Sequence, residues 1–156
     1  MQQKTVKAVV AHGAHDVRLE SHTLSWEADR VLVKVERGGI CGSDIHYFQH
    51  GKAGMSVLKS PMVLGHEFVG IIEQAPENSG LHGGQRVAIN PSQPCQQCDI
   101  CRSGRQNLCR SMRFMGSAQF FPPVNAGFAQ YVAVRPAQGA SYSPAAIGRA
   151  SGWERV

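Results

Sequence analysis

Residues 95–109 read C-Q-Q-C-D-I-C-R-S-G-R-Q-N-L-C and place Cys95, Cys98, Cys101 and Cys109 in the spacing C-x2-C-x2-C-x7-C. Four thiolates suit the tetrahedral corners of a zinc ion, and a closed set of four leaves no position open for substrate. Two residues between successive cysteines let one tight turn aim both sulfurs at a common point, and the longer gap lets the chain loop round with the fourth. The stretch therefore predicts a structural metal lobe. Four unrelated core cysteines would fit an apolar segment, but Gln, Asp, Arg, Ser and Gly surround these. A disulfide framework fits poorly with an odd count of five cysteines and a start, Met1-Gln2-Gln3-Lys4, that has no apolar targeting core. A cysteine cluster of this kind in reducing cytosol is more often metal than disulfide, so a cytoplasmic location is expected.

Upstream of the lobe the text alternates like short strands. Val6–Ala11 and Asp16–His22 flank Gly13-Ala14-His15, a hairpin signal. Val31–Arg37 reads V-L-V-K-V-E-R, with Val31, Val33 and Val35 on one face and Leu32, Lys34 and Glu36 on the other. Gly38-Gly39 is expected to end that strand. Ser43–Gln49 can form a short helix with Ser43 as its N-cap. Phe68–Glu73, Gln85–Asn90 and Phe128–Val134 read as further strands, with Pro76–Gly84 as a polar loop. The 17 glycines and the aromatic content of 7% favour turns and short strands over long helices. The fold expected is mainly β with short helices, closed as a barrel or sandwich. From Pro136 onward the text is rich in Gly, Ala, Ser and Pro without sustained period, and a flexible tail, 136–156, is expected.

Composition narrows the function classes. The formal charge is +5. A zinc held by four thiolates contributes about −2 that this count omits, and Arg102, Arg105, Arg110 and Arg113 sit beside the cysteines to balance it. The pair-plus-pair spacing of a finger and a basic recognition helix are both missing, which argues against nucleic acid as a partner. No run of about 18 apolar residues is present, so no membrane span is expected.

A second group of metal-type residues lies between the strands. Cys41 stands in G-G-I-C-G-S-D-I-H-Y, and His66 and Glu67 stand in V-L-G-H-E. One thiolate, one imidazole and one carboxylate form an incomplete ligand set, the kind by which zinc keeps a position for water or substrate. Ser43, two residues beyond Cys41, could move a proton from a zinc-activated alcohol. Singly, each has an ordinary structural explanation. Cys41 could be a buried small hydrophobe, His66 a core histidine, Glu67 a surface carboxylate, Asp44 a first-turn helix charge, and His46 and Tyr47 a helix face.

In order and separation, G-G-I-C-G-S-D-I-H-Y, G-H-E and the four-cysteine run together resemble the zinc-containing medium-chain dehydrogenases. The likeness covers about Val6–Arg135. P-M-V-L-G-H-E, V-A-I-N-P-S and M-R-F-M-G-S-A narrow it to the branch acting on polyols and sugar acids such as sorbitol and L-idonate. The resemblance implies a GroES-like β-barrel catalytic domain over 1–135. It implies two zinc ions per chain, one structural on the four cysteines and one catalytic on Cys41 and His66, with Glu67 a ligand or a holder of metal-bound water. It assigns Ser43 to the proton relay and Tyr47 to the wall of the substrate pocket. The implied partners are a small polyol or sugar acid and, in some members, a second copy of the chain.

That family also binds NAD or NADP on a Rossmann domain, whose G-x-G-x-x-G fingerprint is absent here: no two glycines are separated by a single residue. A further metal-site glutamate usual in the family has no match, since Glu154 in S-G-W-E-R-V does not fit. The expectation is a catalytic part without its cofactor domain, inactive alone, with 136–156 arising from a frameshifted or prematurely ended reading frame. A non-enzymatic alternative is a zinc-stabilised β module that associates with a partner or a full-length relative.

Overall fold

The computed structural model describes residues 1–141. In chain order the elements are β1 (Gln2–Gly13), β2 (Asp16–Trp26), β3 (Val31–Gly39), α1 (Gly42–His50), β4 (Lys52–Ala53), β5 (Ser56–Val57), β6 (Met62–Val63), β7 (Glu67–Gln74), β8 (Arg86–Ile89), β9 (Ser92–Gln93), α2 (Asp99–Arg102), β10 (Arg113–Phe114), β11 (Tyr131–Val134) and β12 (Gly139–Ser141). Three short 3-10 turns lie at Glu77–Ser79, Gln106–Leu108 and Pro136–Gln138. Every paired strand among the described residues is antiparallel. A five-stranded sheet runs β11-β3-β7-β8-β12, and a three-stranded sheet runs β2-β1-β6. Mainly β architecture with two short helices is thus present as expected.

The main core lies on the five-stranded sheet, where Val31, Val33, Phe68, Ile72, Val87, Val132 and Val134 bury their side chains with Met115 and Ala126. Such side chains each contribute about 1.5–3 kcal/mol when fully buried. A second cluster of Ala11, Tyr47, Met62 and Leu64 fixes α1 against β1 and β6. Leu32 is buried as well as Val31 and Val33, so alternation along β3 begins only after its first turn of pleat.

Three expectations are corrected. Gly38 and Gly39 do not end β3; they pair with Phe68 and Glu67 of β7. A Cβ on Gly38 would press on the Phe128 ring at 3.2 Å, whereas one on Gly39 would meet chiefly the movable end of the Glu67 side chain. Ser43 is not the N-cap of α1. Cys41 is, because the Asp44 carboxylate reaches back to accept from the Cys41 N–H at 2.9 Å. Gly51 stops the helix, with φ 64° and its N–H donated to the Tyr47 carbonyl. Finally, residues 136–141 are not a structureless segment. After the Pro136–Gln138 turn, Gly139, Ala140 and Ser141 pair with Ile89, Ala88 and Val87. The rest of the expected tail, 142–156, lies outside the described residues.

Candidate metal centres

The four-cysteine lobe is a loop wound round its own sulfurs. Cys95, Cys98, Cys101 and Cys109 bring one Sγ each to within 4.8 Å of one another. The Cys95 and Cys101 sulfurs are 3.9 Å apart. A tetrahedral zinc with bonds of about 2.3 Å would hold its sulfurs roughly 3.8 Å apart, so the cluster fits the ion. Cys98 caps α2, and its Sγ accepts from the Cys101 N–H at 3.4 Å. The Cys95 N–H donates to the Cys109 Sγ at 3.2 Å. Gln96 takes φ 62° and Gly104 φ 82°, which turns the chain tightly between ligands.

Backbone donors prepare three of these thiols for ionisation. N–H groups of Gln97 and Cys98 lower the Cys95 thiol, that of Cys101 lowers Cys98, and that of Cys95 lowers Cys109. Burial pushes the Cys101 thiol the other way, up to about 12. A thiolate there needs a cation beside it. Such a set of sulfurs would suit a metal ion, whose binding would displace the last thiol proton into solvent. Outside the cage, Arg110 pairs with Asp99 at 3.1 Å.

The second centre is assembled by strand pairing. Gly39 lies opposite Glu67 in the β3–β7 ladder, and Cys41 follows two residues later at the mouth of α1. The Cys41 sulfur, a His66 ring nitrogen and a Glu67 carboxylate oxygen lie within 4.8 Å of one another. Cys41 and His66 are half-buried and Glu67 is exposed, so the set is open on one side. The His66 Nδ1 is buried without a hydrogen-bond partner, 4.0 Å from the Asp44 Oδ1. Ligation through Nε2 would fix the proton on Nδ1, facing that carboxylate, and the donor set of one soft sulfur, one imidazole and one carboxylate suits zinc. Phe114 closes one wall with its ring edge-on to His66 at 5.4 Å.

Asp44 is the residue that sequence reasoning passed over. It is 4% exposed and accepts from the N–H groups of both Cys41 and Gly65. One carboxylate thereby ties the loop that carries Cys41 to the loop that carries His66. The available signal was its place three residues after the capping position. Gly65 adopts φ 85°, and a Cβ there would collide with Phe128. The glycine before His66 is therefore a packing requirement as well as a turn.

Ser43 is half-buried in the first turn of α1, two residues beyond Cys41. Tyr47 is placed differently from its expected role. Its side chain is 1% exposed, packs with Ala11, Met62 and Leu64, and its hydroxyl accepts from the Ala118 N–H at 2.9 Å. In this chain it has no face free for a ligand, and it acts as a core post under the segment after Gly116.

The match to the alcohol dehydrogenase GroES-like domain covers residues 27–144. The L-idonate 5-dehydrogenase (NAD(P)(+)) of Escherichia coli K12 is 48% identical over 142 residues, 91% of this chain and 41% of that protein. The sorbitol dehydrogenase of Bacillus subtilis is 37% identical over 134 residues, 85% of this chain and 37% of its own length. The crystal structure of the Escherichia coli L-idonate 5-dehydrogenase superposes with a TM-score of 0.86 at 43% identity, covering 92% of this chain and 41% of that one. The chain thus spans about two fifths of the length of the relatives it matches. On the extent of that domain match, with both metal-type clusters inside it, the chain belongs to the alcohol dehydrogenase GroES-like domain family.

Proposed function

We propose that this chain is the zinc-binding catalytic part of an NAD(P)-dependent polyol or sugar-acid dehydrogenase, with L-idonate, oxidised at C5 to 5-ketogluconate, as the substrate to try first. The observation that carries this reading is the convergence of Cys41, His66 and Glu67 on one open point, separate from the closed four-cysteine cage. Cys95, Cys98, Cys101 and Cys109 hold a structural zinc; Cys41, His66 and Glu67 hold a second. Zinc at the second centre supplies Lewis acidity, lowering the pKa of an alcohol presented to it. Asp44 holds the two ligand loops in register, and Ser43 takes and passes on the alcohol's proton. Phe114 excludes water from one side of His66.

Hydride transfer calls for NAD or NADP, and these 156 residues carry no dinucleotide fingerprint, so the cofactor would be held by residues other than these. These 156 residues assayed alone are expected to give no turnover. The reading also places it in reducing cytosol, where free thiolates persist.

Metal analysis of the purified chain tests this. Two zinc ions per chain are expected, one lost on Cys98→Ser and the other, weaker, lost on Cys41→Ser or His66→Ala. A single zinc insensitive to Cys41 and His66 would remove the catalytic centre. A dehydrogenase assay with L-idonate should show turnover only when a matching cofactor domain is added, and activity of the chain alone would overturn the claim of inactivity.

A second reading is favoured by a groove of about 470 Å³ between β2 and β11, lined by Thr23, Ser25, Val63, Tyr131 and Ala133. Two strand edges border it, and exposed edges invite pairing. On that reading the chain associates with a copy of itself or with a full-length relative. Size-exclusion chromatography of the mixture would show a joint peak, and separate elution would end the idea.

A further inference from the structure

Glu67 stands directly opposite Gly39 in the β3–β7 ladder. Directly opposed residues of an antiparallel pair project their side chains to the same face, with Cβ atoms about 4.5–5.5 Å apart. Gly39 leaves its half of that space empty, and the Glu67 carboxylate lies across it. A Cβ on Gly39 would stand 2.8 Å from the Glu67 Oε2 and 3.4 Å from the Glu67 Cβ. The second distance is ordinary contact and the first is too short for a carbon and an oxygen. A methyl group at this position would therefore displace the carboxylate and little else. The backbone at Gly39 lies outside the left-handed region, so its conformation does not call for glycine.

The other two members of the second centre are held independently. Asp44 accepts from the Cys41 N–H at 2.9 Å and from the Gly65 N–H at 3.1 Å, which fixes the loops of Cys41 and His66 without help from Glu67. Glu67 reaches the same point from β7, across Gly39. Its side chain turns about three bonds, the last of them soft, so the space left to the carboxylate decides where it rests.

We propose that Gly39 is a positioning residue: its missing side chain gives the Glu67 carboxylate the space in which it converges on Cys41 and His66. This role rests on the proposed reading of Cys41, His66 and Glu67 as ligands of the second zinc.

The test is titration of the full chain with Co(II), a spectroscopic substitute for zinc, after the four-cysteine cage is filled with one equivalent of zinc. The charge-transfer band from the Cys41 thiolate to Co(II) reports occupancy of the second centre. Gly39→Ala should weaken Co(II) binding there roughly 10–100-fold, the usual range for loss of a supporting contact. It should also alter the cobalt d–d bands, while circular dichroism and Tm stay close to the parent's. In a Glu67→Ala background, Gly39→Ala should change the affinity no further, since the group it acts through is gone. Gly38→Ala supplies the contrast. Its Cβ points to the other face of the strand and meets the Phe128 ring at 3.2 Å, so it should lower Tm and leave the d–d bands as in the parent. If Gly39→Ala alone does not fold, the double variant with Glu67→Ala should, because the carboxylate is what the methyl meets; failure of both would overturn the role. So would parent-like cobalt affinity and bands in Gly39→Ala, or equal losses with and without the Glu67 carboxylate. A parent chain with no thiolate band from Cys41 would overturn the second metal centre itself, and this role with it.

Discussion

Asp44 keeps a carboxylate almost out of solvent at the opening of α1, and its two backbone hydrogen bonds explain why it is tolerated there. Hydrogen bonds to a charged group are worth about 1.5–3 kcal/mol each, and removing the acceptor leaves the Cys41 and Gly65 N–H groups without it. Asp44→Ala should therefore cost about 3 kcal/mol in urea unfolding. It should also weaken metal binding at the Cys41 centre by roughly 10–100-fold, the usual penalty for losing an outer support. Full stability with normal zinc uptake would show that Asp44 does not hold the loops. The residue looked like an ordinary first-turn charge in the sequence because its second partner, Gly65, is distant along the chain and adjacent only after β3 and β7 pair.

Among the elements, the metal lobe and the β1–β7 contact respond differently to solution conditions. The lobe over 95–109 has few apolar residues of its own and is organised around its sulfurs. Cys98→Ser or a chelator should raise amide exchange there at least tenfold while β3, β7 and β8 keep their protection. Zinc affinity of the lobe should rise with pH, because binding releases the thiol protons. Uniform loss of protection would mean that the lobe and the sheets fold as one unit.

Lys4 on β1 reaches Glu73 on β7 at 2.9 Å and lies over the Tyr131 ring of β11 at 3.7 Å. The hydrogen bond to Glu73 raises the Lys4 ammonium above its ordinary 10.5, and the same bond lowers Glu73 below its ordinary 4.5. Both side chains are about a third exposed or more, so solvent screening limits the pair to less than about 1 kcal/mol. The carboxylate's share is present above its unfolded pKa and fades as pH falls through its lowered folded value. The ammonium's share is present below 10.5 and fades as pH rises through its raised folded value. Lys4→Met should thus cost a few tenths of a kcal/mol near neutral pH, less in strong acid, and less at high salt. Thermal melts across pH and salt check it, and a deficit that persists at pH 2 would point to lost packing on Tyr131.

For the whole molecule, the end of the described chain is part of the fold. Gln138 is 3% exposed, its Oε1 accepts from the Arg135 N–H, and its Nε2 donates to the Asn90 carbonyl. Gln138→Ala should cost about 2 kcal/mol by stranding those groups, and ending the chain after Arg135 should cost at least as much. Urea midpoints matching the parent would place residues 136–141 outside the cooperative unit.

The sequence by itself determined the strand-rich class and both groups of metal-type residues. Alternating apolar residues and fixed cysteine spacing act over short separations, where chain geometry alone limits the outcome. Only the tertiary structure decided how the pieces meet. It carried β3 through Gly38-Gly39, placed Glu67 opposite Gly39, made Cys41 the cap of α1, and buried Tyr47 as a core post. It also drew Gly139–Ser141 into the five-stranded sheet. These outcomes depend on which distant segments are packed together, and a glycine reads as a break until the neighbour that needs its missing side chain is in place.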